Sequence, residues 1–305
     1  MSKKKLLITG SNGMTGQKII YLATQNLNIE LIATSTGENR AFLKEGYQYE
    51  SLDITNADQV NAIVEKYKPD GIINTAAITN VDACEAHKQK AYDLNVTGTL
   101  NLIKACEKHH IHLIHLSTDF VFDGAKQDLY VEDDIPNPVS YYGLTKLIAE
   151  EILKASNIKW AILRTILVYG VVDGNTRNNI VLWTKKAMQK GESIDVVDDQ
   201  FRTATLAEDL ALGCLQAFEH GVTGTYHVSG KEFMSTFHLV QKVAEYFDLD
   251  PNLVKPISSA SLNQPAHRPP KTGFNLAKAK RDFGYEPRSF FEGLSLIKEQ
   301  LAAYE

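Results

Sequence analysis

Lys5-Leu6-Leu7-Ile8-Thr9-Gly10-Ser11-Asn12-Gly13-Met14-Thr15-Gly16 runs a short apolar segment into three glycines spaced three apart. An amphipathic stretch follows, with Ile19, Ile20, Leu22, Ala23 and Leu27 on the stripe that a helix would bury. Strand, glycine turn and helix in that order make a cradle for phosphate. Gly10 permits a tight turn, Gly13 lets backbone approach a pyrophosphate, and Gly16 lets helix and strand pack closely. The helix N-terminus adds free N–H groups for the anion, and Asn12 and Met14 share the turn. A plain turn with packing glycines is the alternative. The flanking strand and helix argue against it, because the motif requires both.

Strand and helix alternate outward from there. Glu30–Thr34, Tyr47–Leu52, Gly71–Asn74, Ile111–Leu116 and Lys159–Arg164 read as strands. Residues 56–67, 83–109 and 144–153 read as helices. Alternation of this kind predicts an α/β fold, a doubly wound parallel sheet of the Rossmann type. After residue 168 the alternation loosens. Helices are expected over 206–220, 235–248, 275–283 and 290–303, with a strand over Gly224–Ser229. Residues 1–168 are assigned to a dinucleotide-binding domain. Residues 169–305 are assigned mostly to a smaller interleaved α/β substrate lobe, with segments near 200–229 returning to the first domain.

The second strand ends Thr34-Ser35-Thr36-Gly37, without the acid that commonly binds an adenosine ribose, and Arg40 follows. Small hydroxyls such as Ser35 with a cation suit a 2′-phosphate, which favours NADPH over NADH. Arg40 as a solvated helix residue is the alternative. Thr75, Ala76, Ala77 and Thr79 leave room for a cofactor at the end of the fourth strand. Asn95, polar among apolar neighbours, is either a site residue or a satisfied buried amide.

Ser140-Tyr141-Tyr142-Gly143-Leu144-Thr145-Lys146 opens the helix over 144–153. Tyr142 and Lys146 are four apart and share a helix face. A phenol titrates near 10, and an ammonium beside it pulls that value down, giving an acid/base group for an alcohol or carbonyl oxygen. Tyr141 has only Thr145 at that spacing, and an exposed Tyr/Lys pair is the plain alternative. Ser117-Thr118-Asp119 ends the fifth strand, where ligands bind in such sheets. A capping cluster is the other reading.

Composition sets outer limits. The 305 residues carry a net charge of −5, which offers no electrostatic reason to expect nucleic acid. No stretch approaches a membrane span, and Leu6-Leu7-Ile8 is too short for a signal peptide core. A cytoplasmic protein is therefore expected, with no membrane partner. Cys84, Cys106 and Cys214 lack metal or disulfide spacing and are expected as buried thiols. His109, His110, His112 and His115 suggest a metal, but His112 and His115 fall on opposite faces of one strand. No metal is expected.

These motifs together resemble the extended short-chain dehydrogenases/reductases, and within them the dTDP-4-dehydrorhamnose reductases. The resemblance spans nearly the whole chain. It rests on the glycine turn, Asn74–Asp82, Leu116–Gly124, Tyr142–Lys146, Val197–Gln200 and Arg268-Pro269. It implies a catalytic triad of Thr118, Tyr142 and Lys146, with NADPH or NADH delivering hydride to the C4 carbonyl of a nucleotide-linked deoxysugar. Tyr142 would donate the proton, Thr118 would orient the oxygen, and Lys146 would hold the nicotinamide ribose. Asp53 and Ile54 would line the adenine pocket, and Ser117 and Asn95 would complete the cofactor site. Asp119, Phe120, Leu167 and Arg268 would face the substrate, and a homodimer is the expected assembly. The pattern departs from the family at Leu167, where an aromatic is usual, and at Ala204, where a proline is usual.

Two rivals share the fold. A dehydratase needs an added acid after Thr118-Asp119, and Phe120 supplies none. An epimerase is less disfavoured. A regulatory subunit, like the β subunit of methionine adenosyltransferase, would bind NADP without turnover. Arg40→Ala is expected to weaken NADPH binding more than NADH binding in fluorescence titrations. Equal losses would remove Arg40 as a reader of the 2′-phosphate.

Overall fold

The computed structural model describes residues 3–172 and 179–303. The first half alternates as β1 (Lys4–Thr9), α1 (Met14–Thr24), β2 (Ile29–Ser35), β3 (Gln48–Ser51), α2 (Ala57–Tyr67) and β4 (Gly71–Asn74). It continues with α3 (Val81–Ala86), α4 (Lys88–Tyr92), a π-helical turn (Asp93–Thr97), α5 (Gly98–His109), β5 (His112–Thr118), α6 (Tyr141–Lys154) and β6 (Trp160–Thr165). Then follow β7 (Val168–Tyr169), α7 (Ile180–Gln189), β8 (Ile194–Val197), β9 (Phe201–Arg202), β10 (Thr205–Leu206), α8 (Ala207–His220) and β11 (Gly224–His227). The chain ends with β12 (Met234–Ser235), α9 (Thr236–Tyr246), β13 (Val254–Ile257), β14 (Lys271–Thr272), α10 (Ala277–Phe283) and α11 (Phe290–Ala302).

Seven strands form one sheet in the order β11-β6-β5-β4-β1-β2-β3, and every pairing in it is parallel. Parallel sheets need cover on both faces, and β1 shows how the sequence provides it. Leu6 and Ile8 join Ile19, Ile20, Leu210, Phe218 and Tyr285 on one face. Leu7 joins Ile32, Ile72, Leu102, Leu113 and Leu153 on the other. The period of two in the strand thus feeds two cores. β1 lies between β2 and β4, so the chain order reverses there and a crevice opens beyond the carboxyl ends of the strands.

A third core joins α7, α9 and α11 to β8, through Val181, Val196, Val240 and Leu294. β8 pairs with β13, and β9 lies between β12 and β14. The expected strand near 224–229 is β11, hydrogen-bonded to β6 at the edge of the main sheet.

Two expectations fail locally. The helix read over 83–109 breaks into α3, α4, the π-helical turn and α5. Asn95 lies in that turn, and its amide reaches out to the loop after β4. Leu27 is 81 % exposed, because α1 stops at Thr24 and an Asn26–Asn28 turn carries the chain away.

Gly10 has φ +69, and a side chain there would meet the Ala76 backbone nitrogen at 2.7 Å. Gly10→Ala is expected to destabilise the fold by at least about 1–2 kcal/mol, from left-handed backbone alone. An unchanged denaturant midpoint would mean that the turn relaxes around a methyl group.

Candidate active site

The loops beyond β1, β4, β5 and β6 enclose a cavity of about 700 Å³. Its walls include Gly13, Met14, Thr75, Ala77 and Thr79 on one side, and Ser117, Thr118, Asp119, Phe120, Tyr142 and Lys146 on another. Leu167, Trp183 and Arg268 close it from the second half of the chain.

Two of the helices that reach this cavity, α1 and α6, begin differently. α6 starts with Ser140, whose hydroxyl accepts the Gly143 N–H and caps the helix. α1 starts with Gly13 and has no side-chain cap, so its first turn opens toward the cavity with unsatisfied donors. A Cβ on Gly16 would lie 2.6 Å from the Gly10 carbonyl oxygen, so the turn and helix touch backbone to backbone. This uncapped terminus in a glycine cradle fits a dinucleotide pyrophosphate.

Tyr142 and Lys146 both come from α6, and Thr118 ends β5. Both Thr118 and Tyr142 line the cavity, and the Thr118 hydroxyl donates to Asp119 Oδ1 at 3.1 Å. The phenol titrates well above its ordinary value, chiefly from burial, opposed by the Thr118 hydroxyl. The acidified phenol anticipated from spacing is therefore not the resting state. Lys146 Nζ lies 3.0 Å from His115 Nε2. Burial lowers the Lys146 amine to about 8, against the raising influence of Glu150.

Beneath these groups lies a buried ionic knot. Glu150 accepts from Arg164 Nη2 at 2.7 Å, from Arg164 Nε at 3.0 Å and from the Ser117 hydroxyl at 2.5 Å. Glu150 is held below the usual carboxylate range by Arg164 and Ser117, although burial opposes them. The Arg164 guanidinium also lies 5.0 Å over the Phe122 ring.

Other anticipated residues are engaged within the protein. Asn95 bonds both polar groups of the Ile78 backbone, and donates to Thr145 Oγ1 at 3.0 Å. It braces α6 against the loop after β4, from behind the cavity wall. Asn12 accepts the Arg40 N–H and donates to the Glu38 carbonyl, so it holds the loop after β2. Arg40 itself is exposed on that loop, outside any helix. The Ser35 carbonyl accepts from the Tyr49 hydroxyl and the Leu52 N–H. Asp53 accepts from Thr55, and Ile54 is buried against Gly98. Ala76 packs its backbone on Gly10.

Among the substrate-side residues, Asp119 is 2 % exposed and accepts from Thr272 and Thr118. Burial raises its carboxyl, against Arg202. Arg268 forms a two-pronged pair with Asp82, at 2.7 and 3.2 Å. Phe120 packs edge-on to Tyr142, with ring centroids 5.6 Å apart. Leu167 lines the cavity with φ +37, a conformation that costs energy outside glycine. Sequence reasoning passed over Glu150 and Arg164, and weighed His115 only as a metal ligand. Glu150 and Arg164 are apart in sequence and meet only through packing of α6 on β6. No group of three or more metal-ligating side chains occurs among the described residues. No helix among them is long and apolar enough to cross a membrane.

Comparison with known proteins covers nearly the full length. The RmlD substrate binding domain family matches residues 4–303. A dTDP-4-dehydrorhamnose reductase of Aggregatibacter actinomycetemcomitans is 32% identical over 305 aligned positions, covering 96% of this chain and 98% of that one. The methionine adenosyltransferase 2 subunit beta of Bos taurus is 31% identical, covering 85% of this chain and 77% of that one. The crystal structure of a Bacillus anthracis dTDP-4-dehydrorhamnose reductase in complex with NADP superposes with a TM-score of 0.84 at 29% identity, covering 98% and 100%.

Glu150→Ala leaves Arg164 buried and unpaired, and is expected to cost about 3–5 kcal/mol in urea unfolding. Because the Glu150 carboxyl is lowered in the folded state, its contribution is present above the ordinary carboxylate range. It is lost as pH falls through the folded value. A variant as stable as the parent at pH 7 would show that Arg164 finds another partner.

Proposed function

The chain belongs to the RmlD substrate binding domain family, and we propose that it reduces the 4-keto group of a nucleotide-linked deoxysugar with NADPH or NADH. The substrate favoured is dTDP-4-dehydrorhamnose, giving dTDP-L-rhamnose. The observation that carries this reading is that Thr118 and Tyr142 line one cavity with the uncapped start of α1.

Gly10, Gly13, Gly16 and the first turn of α1 would hold the pyrophosphate of a nicotinamide cofactor, which would supply the hydride for the carbonyl carbon. Thr75, Ala77 and Thr79 give its middle room. Tyr142, protonated at rest because burial raises its phenol, donates that proton to the oxygen that becomes the alcohol. Thr118 orients the same oxygen. The Lys146 ammonium would hold the nicotinamide ribose and draw the phenol pKa down when it faces the cavity. Asp119, hydrogen-bonded by Thr272 and paired with Arg202, shapes the wall without moving a proton. Phe120, Leu167 and Arg268 contact the sugar nucleotide, with Arg268 fixed in place by Asp82. Residues 1–168 supply the cofactor side, with β11 completing their sheet. Residues 169–305 otherwise supply the substrate side.

Tyr142→Phe is expected to keep NADPH affinity while lowering turnover of a 4-keto-6-deoxy nucleotide sugar by a hundredfold or more, the range for losing a general acid. Unchanged turnover removes Tyr142 from the mechanism. Saturable NADPH binding with no turnover on dTDP-, UDP- or GDP-linked 4-keto sugars overturns the reductase reading. It would leave a binding subunit like the relative in Bos taurus.

A further inference from the structure

Thr9, Asn74 and His115 stand in one row across β1, β4 and β5, each in register with the next. Asn74 Oδ1 accepts from the Thr9 hydroxyl at 2.6 Å and from the Ala76 N–H at 3.2 Å. A backbone N–H can only donate, so this oxygen is fixed and Asn74 Nδ2 must point the other way. There it meets Thr99 Oγ1 at 3.4 Å and His115 Nδ1 at 3.1 Å. The Thr99 hydroxyl gives its own hydrogen to the Asn95 carbonyl, so it accepts from Asn74.

The amide therefore donates to His115 Nδ1, which carries no proton. Burial keeps His115 neutral, well below its ordinary range. The single ring proton is on Nε2, and Nε2 lies 3.0 Å from Lys146 Nζ. An ammonium has no lone pair to receive it. Only the neutral amine completes this row. His115 is fully buried and is not among the residues lining the cavity, whereas Lys146 lines it.

We infer that His115 is a positioning residue that latches Lys146 as a neutral amine beneath the cavity and frees it only as the ammonium. Protonation of Lys146 breaks the Nε2–H contact. The alternative, moving the ring proton to Nδ1, would set two donors, Asn74 Nδ2 and Nδ1–H, against each other. The charged groups around Lys146 are few. Glu150, one turn further along α6, favours the ammonium, but Arg164 of β6 is paired with it. Asp119 and Cys84 act on Tyr142 instead. The latch sets the alkaline limit of the site. Below the titration of Lys146 the ammonium faces the cavity, and above it the amine is withdrawn.

This rests on Lys146 contacting the cofactor, as proposed above, so the test separates the two. NADPH affinity is measured by fluorescence without substrate, across pH. In the parent protein the dissociation constant is expected to rise about tenfold per pH unit above about pH 8, as one proton is lost. His115→Gln offers an amide that can turn its oxygen to the ammonium. The onset should then move up by about one pH unit or more, as expected for a hydrogen bond to a charged group. An onset shared by both proteins, or a parent affinity flat to about pH 9.5, overturns the latch. Failure of the parent to bind NADPH at any pH sinks the reductase reading instead. Should His115→Gln not fold, the parent decides alone through its ¹⁵N imidazole spectrum without cofactor, assigned through bonds to the backbone. At about pH 9.5 His115 is expected to carry its proton on Nε2, and a proton on Nδ1 overturns the proposal.

Discussion

The buried contact among Ser117, Glu150 and Arg164 governs the placement of everything in the cavity wall. Ser117 adjoins Thr118 at the end of β5, Glu150 is one turn beyond Lys146 on α6, and Arg164 is on β6. One carboxylate thus ties the helix carrying the phenol and the amine to the strand carrying the hydroxyl. Each of these side chains is nearly inaccessible to water. Buried charge of this kind contributes little net stability compared with apolar packing, but breaking it is costly. It acts here as a register pin, since a shift of α6 along β5 would strand an ion.

The same helix is pinned from its other side by Asn95. A π-helical turn is an unfavourable local choice, and here it brings an amide to Ile78 and Thr145 at once. α6 is therefore fixed to the β4 loop as well as to the sheet. The contrast with α1 is instructive. Where the chain holds its own helix, a serine caps it, and where an anion is wanted, a glycine leaves the terminus open.

Much of this was legible in the sequence, for identifiable reasons. The glycine turn is read from three residues between a strand and a helix. Tyr142 and Lys146 are read from helical spacing, and both signals are local. The row of Thr9, Asn74 and His115 is not local, since it exists only through the register of three strands. His115 looked like one more strand histidine. Glu150 and Arg164 looked like ordinary charged residues until packing buried them together. The unbroken helix over 83–109 was overread because its apolar spacing persists through the π-helical turn, and hydrophobic period alone does not register one extra residue per turn. The substrate wall was the least legible, since Leu167, Trp183 and Arg268 come from loops and short elements with no periodic signal.

The position of β11 has a consequence for biosynthesis. Gly224–His227 supplies the edge strand beside β6, and α8 and α10 contribute Leu210, Phe218 and Phe283 to the core that also holds Leu6 and Ile19. A nascent chain emerging from the ribosome therefore exposes one flank of β6 and half the cover of β1 until the last third has been translated. An unpaired parallel edge is a template for mispairing. Slow elongation across that interval would lengthen the time for which the unfinished sheet depends on chaperones.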